Sequence, residues 1–184
     1  MNHHDMTRNM VLAALFAALT AIGAFLQIPT GTVPITLQFL FTALAGLLLG
    51  WKWGAISQLL YVGIGLLGLP VFTQGGGIGY VLQPSFGFLL GLIPAAAVIG
   101  ALTARRTGYL TVLAVVLVGD LILYAVGVPY MYLILHVYMQ SAKTFPALLA
   151  AMLVYVPGDT LKIIVVTALA PVLRRTLVKA VPNL

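Results

Sequence analysis

The sequence predicts an all-α integral membrane protein, a single transmembrane domain over 1–184 built as a bundle of six helices, and three observations carry that assignment. Composition is the first. Of 184 residues, 62% are hydrophobic and only 7% charged, which is far too little polar surface for a soluble domain. Patterning is the second, with apolar runs approaching the ~20 residues that a membrane span needs. The third is the placement of basic residues. Arg8, Lys52, Arg105, Arg106, Arg174, Arg175 and Lys179 fall at the N-terminus, at the second and fourth turns between spans, and at the C-terminus. The opposite loops carry only Lys143, with Lys162 inside or at the edge of the last span. That asymmetry puts both termini in the cytoplasm. The net charge of +6 is therefore a topology signal. A nucleic-acid partner is not expected, because the basic residues are scattered along one rim and do not cluster on a solvated face.

The first span is expected over 10–28. It is long enough to cross and shows no cleavable signal-peptide site. Ala13, Ala17 and Ala21 repeat every four residues, with Ala14 and Ala18 alongside. Such a stripe lets helix backbones approach closely in lipid. It serves either packing within this bundle or docking against another membrane subunit, and the residues alone do not choose.

An outward loop follows, Gln27 to Gln38, kept extended by Pro29 and Pro34. Thr36 and Gln38 then enter a helix with polar side chains where lipid would favour Leu. Spans two and three are expected over 36–50 and 54–69. They are short, which suggests a compact bundle whose ends lie partly in loops. Trp51 and Trp53 flank Lys52 as an aromatic anchor at the inner face.

The loop from Leu69 to Pro84 carries four glycines within 75–79. Glycine permits positive φ and close backbone approach. Val71, Phe72, Ile78, Val81 and Leu82 are interleaved, so it reads as a loop folded back over the bundle, tolerated at depth only where protein or a cavity surrounds it. A phosphate-cradling role fails, because no strand precedes it and no Lys-Ser/Thr follows. Spans four and five are expected over 86–104 and 109–128, the latter with Asp120 in its middle. Beyond it, His136 joins Tyr130, Tyr132 and Tyr138 as an interfacial belt.

The last span, 158–173, opens on Val156-Pro157-Gly158-Asp159-Thr160-Leu161-Lys162. Only three acids occur in the chain, Asp5, Asp120 and Asp159, and Lys162 shares a helical face with the last of them. Ionisable groups at membrane depth are costly and by default mark function. The plainer alternatives are an ion pair that only packs helices and a Lys that snorkels to the interface.

Enzyme chemistry is not expected. No acid or Cys stands at ligand spacing to His3, His4 or His136, and Ser57, Ser85 and Ser141 lack a base and orienter at readable spacing. No nucleotide-binding motif is present, so the chain cannot drive transport with ATP by itself.

Three stretches together resemble the BioY family, the biotin-specific substrate-capture (S) components of energy-coupling factor transporters. They are Val33-Pro34-Ile35-Thr36-Leu37-Gln38, Gly68-Leu69-Pro70-Val71-Phe72 running into the glycine cluster up to Tyr80, and Pro157-Gly158-Asp159-Thr160-Leu161-Lys162. One stretch departs: Gln83-Pro84-Ser85-Phe86-Gly87-Phe88 stands where the family commonly reads Gly-Pro-Thr-Gly-Gly-Tyr. The resemblance implies six helices, a pocket near the outer face, and a first-helix stripe (Ala13, Ala17, Ala21) that meets the transmembrane coupling subunit, which works with ABC ATPases. It implies biotin as ligand and no cofactor or metal. Asp159 would accept from the ureido N–H groups, and Lys162 would donate to the ureido carbonyl or pair with the tail carboxylate. Tyr80, Phe72 and Tyr124 would sandwich the bicycle, with Gln38, Gln74, Gln83, Gly76 and Gly77 around it. Asp120 would pair with Lys162 in the empty site or bond within the bundle. An S component for another vitamin and a self-sufficient small carrier are the alternatives. No inverted repeat supports the carrier.

Overall fold

The computed structural model describes residues 3–30, 33–104 and 108–180. Helix α1 spans His3–Phe25. Residues 27–28, expected as the end of the first span, instead form strand β1 (Gln27–Ile28), paired antiparallel with β2 (Ile35–Thr36). Pro29 and Pro34 lie between the strands, where no ladder N–H is needed.

The run Gln38–Leu66 is helical except at Gly50, whose φ of 76° and ψ of 179° break it. The chain reverses there. Thr42 Oγ1 meets Gln58 Oε1 at 2.9 Å and Gln38 Nε2 meets Tyr61 Oη at 2.7 Å. A straight helix rising ~1.5 Å per residue would hold those pairs far apart. The result is a hairpin of two helices, α2 (38–49) and α3 (51–66), matching the two spans expected there. A Cβ on Gly54 would stand 2.9 Å from the Gly46 Cα, so the helices touch backbone to backbone at the turn. No residue of α2 is exposed. A helix apolar all round belongs inside, and at about 18 Å it is too short to cross ~30 Å of hydrocarbon unaided.

Helices α4 (Phe86–Thr103) and α5 (Tyr109–Leu133) follow. The latter continues through a widened π turn at Ile134–Tyr138, beyond the end expected at 128. A short helix that the sequence reading did not anticipate, α6 (Phe145–Ala151), precedes α7 (Val156–Ala180). Among the described residues, five helical segments are long and apolar enough to cross a membrane when Gln38–Leu66 is taken as one. Its reversal at Gly50 brings the bundle to the six expected.

Two cores hold the bundle. The larger runs through α1 to α5 and α7, with Phe39, Tyr61, Phe72, Ile99, Val116 and Val166 at its centre. The smaller, built on Val33, Val128, Met131, Leu135, Leu148 and Met152, fastens the β1–β2 loop, the end of α5 and α6 together. Hydrophobic drive between helices is weak in lipid, so close packing carries association.

The packing of α1 corrects one expectation. Ala13 and Ala17 are 1% and 4% exposed, and Ala21 is half-buried, so the stripe expected to dock a partner is turned into the bundle on the side of α1 that packs against the α2–α3 hairpin. The alanines that face outward are Ala14 and Ala18, among Val11, Leu15 and Ile22. Both rows repeat every four residues, so spacing gave no signal of which row faces in.

The ends of the bundle differ. Leu37 N–H bonds Gly23 O at 3.0 Å, which sets the C-terminus of α1 beside the N-terminus of α2. Arg8, Lys52 and Arg174 therefore lie at the opposite end, the end expected in the cytoplasm. Arg174 donates to Thr103 O at 3.4 Å. Arg105 and Arg106 lie outside the described residues, as do the side chains of Arg175 and Lys179.

Candidate functional site

A cavity of about 620 Å³, its open mouth included, lies at the end of the bundle away from Arg8, Lys52 and Arg174. Small-molecule sites typically have mostly apolar walls and a few placed polar groups. Residues 33–36 of the first outward loop line one side. The start of α2, the Thr73 turn, Tyr80, helices α4 and α5, and the first turns of α7 line the rest.

The polar groups form one continuous chain around the wall. Asp159 and Lys162 are only 6% and 8% exposed. Lys162 Nζ stands 2.5 Å from Asp159 Oδ1 and donates to Thr36 O at 3.2 Å. Tyr124 donates its hydroxyl proton to the other carboxylate oxygen, Oδ2. Thr36 Oγ1 donates to Gln38 Oε1 at 2.9 Å. Gln38 Nε2 donates to Tyr61 Oη at 2.7 Å, and Tyr61 donates to Val71 O at 3.1 Å. Six segments, from the outer loop through α3, α2, β2 and α7 to α5, are thereby joined by buried and part-buried hydrogen bonds. Such bonds are costly to break singly, since a buried partner is left unpaired.

Proton counting shows what the pair has left for a ligand. A carboxylate offers about four lone-pair positions, and Asp159 uses two; an ammonium has three N–H bonds, and Lys162 uses two. The site therefore presents unused acceptor capacity beside one unused cationic donor. Around it stand Phe39, Phe88, Leu89, Leu92, Leu123 and Met152, an apolar surface in which a charge-assisted hydrogen bond is strong.

A family model for BioY matches residues 1–179. The chain belongs to the BioY family. Among its relatives is a probable biotin transporter BioY of Lysinibacillus sphaericus, 54% identical over 141 residues, or 76% of this chain and 72% of that protein. The biotin transporter BioY of Thermotoga maritima is 35% identical over 164 residues, 89% of this chain and 94% of that one. A solved structure, the S-component for biotin from an ECF-type ABC transporter, matches with a TM-score of 0.83 at 30% identity, covering 95% of each chain.

Of the residues expected at the BioY site, Asp159, Lys162, Gln38, Tyr80 and Tyr124 line the cavity together. Others do not. Phe72 is 1% exposed behind Tyr80, with ring centroids 4.6 Å apart, so it backs the wall and does not face the cavity. Gln74 is exposed at the tip of the turn closed by Phe72 and Gly75. Gly76 and Gly77 fold the loop onto α3: Gly77, at φ 101°, donates to Gly65 O at 2.7 Å. Gln83 is half-buried, its N–H bonded to Tyr80 O at 2.9 Å. Asp120 stands off the cavity wall one helical turn before Tyr124, its buried Oδ1 without a hydrogen-bond partner among the described residues. The expected pairing of Asp120 with Lys162 is not seen there; the Lys162 partner is Asp159.

Several lining residues escaped the sequence reading. Tyr155 lines the cavity and ties down the first outward loop, donating to Val33 O at 2.5 Å with Thr30 Oγ1 2.9 Å from its hydroxyl. It precedes Asp159 by four residues, and Asp159 N–H bonds its carbonyl at 2.9 Å, so helical spacing from the acid was the available signal. Ser85 and Phe88 come from the stretch that departs from the usual BioY motif, yet both reach the cavity. Ser85 Oγ lies 3.4 Å from Tyr80 Oη, which in turn is 2.9 Å from Thr73 Oγ1.

Proposed function

We propose that this BioY protein captures biotin at the outer face of a prokaryotic plasma membrane. In this reading it is the substrate-binding subunit of an ECF-type ABC importer, energised by a transmembrane coupling subunit and ABC ATPases. The observation that carries the reading is the Asp159–Lys162 pair, buried in an apolar cavity with acceptor and donor capacity to spare. Biotin is complementary to that arrangement. Its ureido ring offers N–H donors to Asp159, and its carbonyl or tail carboxylate accepts from Lys162. The thiophane ring and four-carbon tail fit among Tyr80, Phe88, Tyr124 and the aliphatic wall, where burying each CH₂ contributes about 0.8 kcal/mol. The relatives named as biotin transporters and the solved biotin S-component support the same ligand.

Tight capture without ATP predicts that the ligand survives purification. Mass spectrometry of protein solubilised in detergent from biotin-fed cells is expected to release one biotin per chain. Recovery of a different vitamin in that ratio would keep the family and overturn the ligand.

A further inference from the structure

We propose that Tyr61, which does not line the cavity, is a positioning residue that fixes which atoms of Gln38 face the ligand; this rests on the biotin reading above. Tyr61 is 1% exposed, and its ring meets Phe72 edge-on at 5.5 Å, so the phenol has one place to stand. Its single hydroxyl proton goes to Val71 O at 3.1 Å. A phenol oxygen whose proton is committed can only accept. The Gln38 group 2.7 Å away must then be the amide nitrogen. On the other side, Thr36 Oγ1 donates at 2.9 Å to the amide oxygen.

The Gln38 amide is thus held with its nitrogen toward α3 and its carbonyl toward β2. One N–H and one lone pair are left uncommitted in the cavity wall. A terminal amide free to turn by 180° would present the opposite polarity at nearly no steric cost. Tyr61 removes that freedom. A wall of fixed polarity discriminates a ligand atom that accepts from one that donates at the same place, because the wrong partner leaves buried groups unpaired.

The test uses Tyr61→Phe, which keeps the ring and its packing and removes only the hydroxyl. Biotin and 2-iminobiotin, in which an imino group replaces the ureido carbonyl, are titrated into detergent-purified full chain. Biotin affinity is expected to fall about tenfold, the scale of one lost buried hydrogen bond. The preference for biotin over 2-iminobiotin should shrink by at least about threefold, since the freed amide accommodates both. In a Gln38→Leu background, adding Tyr61→Phe should leave the ratio unmoved, because the residue through which Tyr61 acts is gone. Equal weakening of both ligands, or the same contraction without Gln38, would make Tyr61 merely structural and overturn the proposal. Failure of the unaltered protein to bind biotin would overturn the ligand reading, and this inference with it.

Discussion

Asp159→Asn is expected to weaken biotin binding at least ~30-fold, and Lys162→Ala to do the same. Both carboxylate oxygens of Asp159 are occupied, one by Lys162 at 2.5 Å and the other by the Tyr124 hydroxyl. An asparagine keeps the shape but has one acceptor oxygen where the carboxylate has two. With its oxygen toward Lys162, its amide nitrogen would donate to the Tyr124 oxygen and displace the hydroxyl proton that now bonds the carboxylate. Lys162 would keep Thr36 O at 3.2 Å but have no anion beside it. Truncating one member of a buried charge pair costs ~2–5 kcal/mol, much of it from the partner left unpaired. At 1.4 kcal/mol per decade, the lower bound is ~30-fold. Isothermal titration of each variant checks it. Unchanged affinity in both would reduce the pair to a bolt between helices.

Ala17→Trp is expected to destroy the fold, whereas Ala18→Trp on the next position leaves biotin binding intact. Ala17 is 4% exposed within the bundle, and Ala18 faces outward. Overpacking a tight core costs ~1–3 kcal/mol for additions far smaller than an indole. The inward variant should aggregate or melt early in detergent, losing binding and uptake together. The outward variant should elute as a single species and bind biotin like the unaltered protein. Normal binding by Ala17→Trp would show that the stripe faces out of the bundle after all.

That pair of variants also marks where the sequence was legible. Charge in an apolar chain is a strong signal, because burial is so costly that a Lys three residues after an Asp implies a shared site. Asp159 and Lys162 do meet, and Gln38, entering a helix where lipid would favour Leu, lines the same cavity. Small-residue periodicity is weaker. It shows that a helix is approached closely, but two adjacent alanine rows on α1 satisfy it equally, and only packing decides between them. The glycine loop behaves likewise: Gly76 and Gly77 do permit close backbone approach, but to the Gly65 carbonyl on α3 and not to the cavity. Phe88 and Met152 had no distinguishing signature, since aromatic and apolar residues are ordinary throughout a membrane chain. The reversal at Gly50 was legible as a break between two short spans. The extra helix α6 was not, because seven apolar residues outside a span look like any interfacial segment.

Calorimetry on purified, ligand-free protein tests the central claim most directly. Biotin titrated into it without ATP or any partner subunit should give a single tight site at one ligand per chain. Thiamine and riboflavin should give no heat beyond dilution. No biotin signal alongside clear binding of either other vitamin would contradict the account.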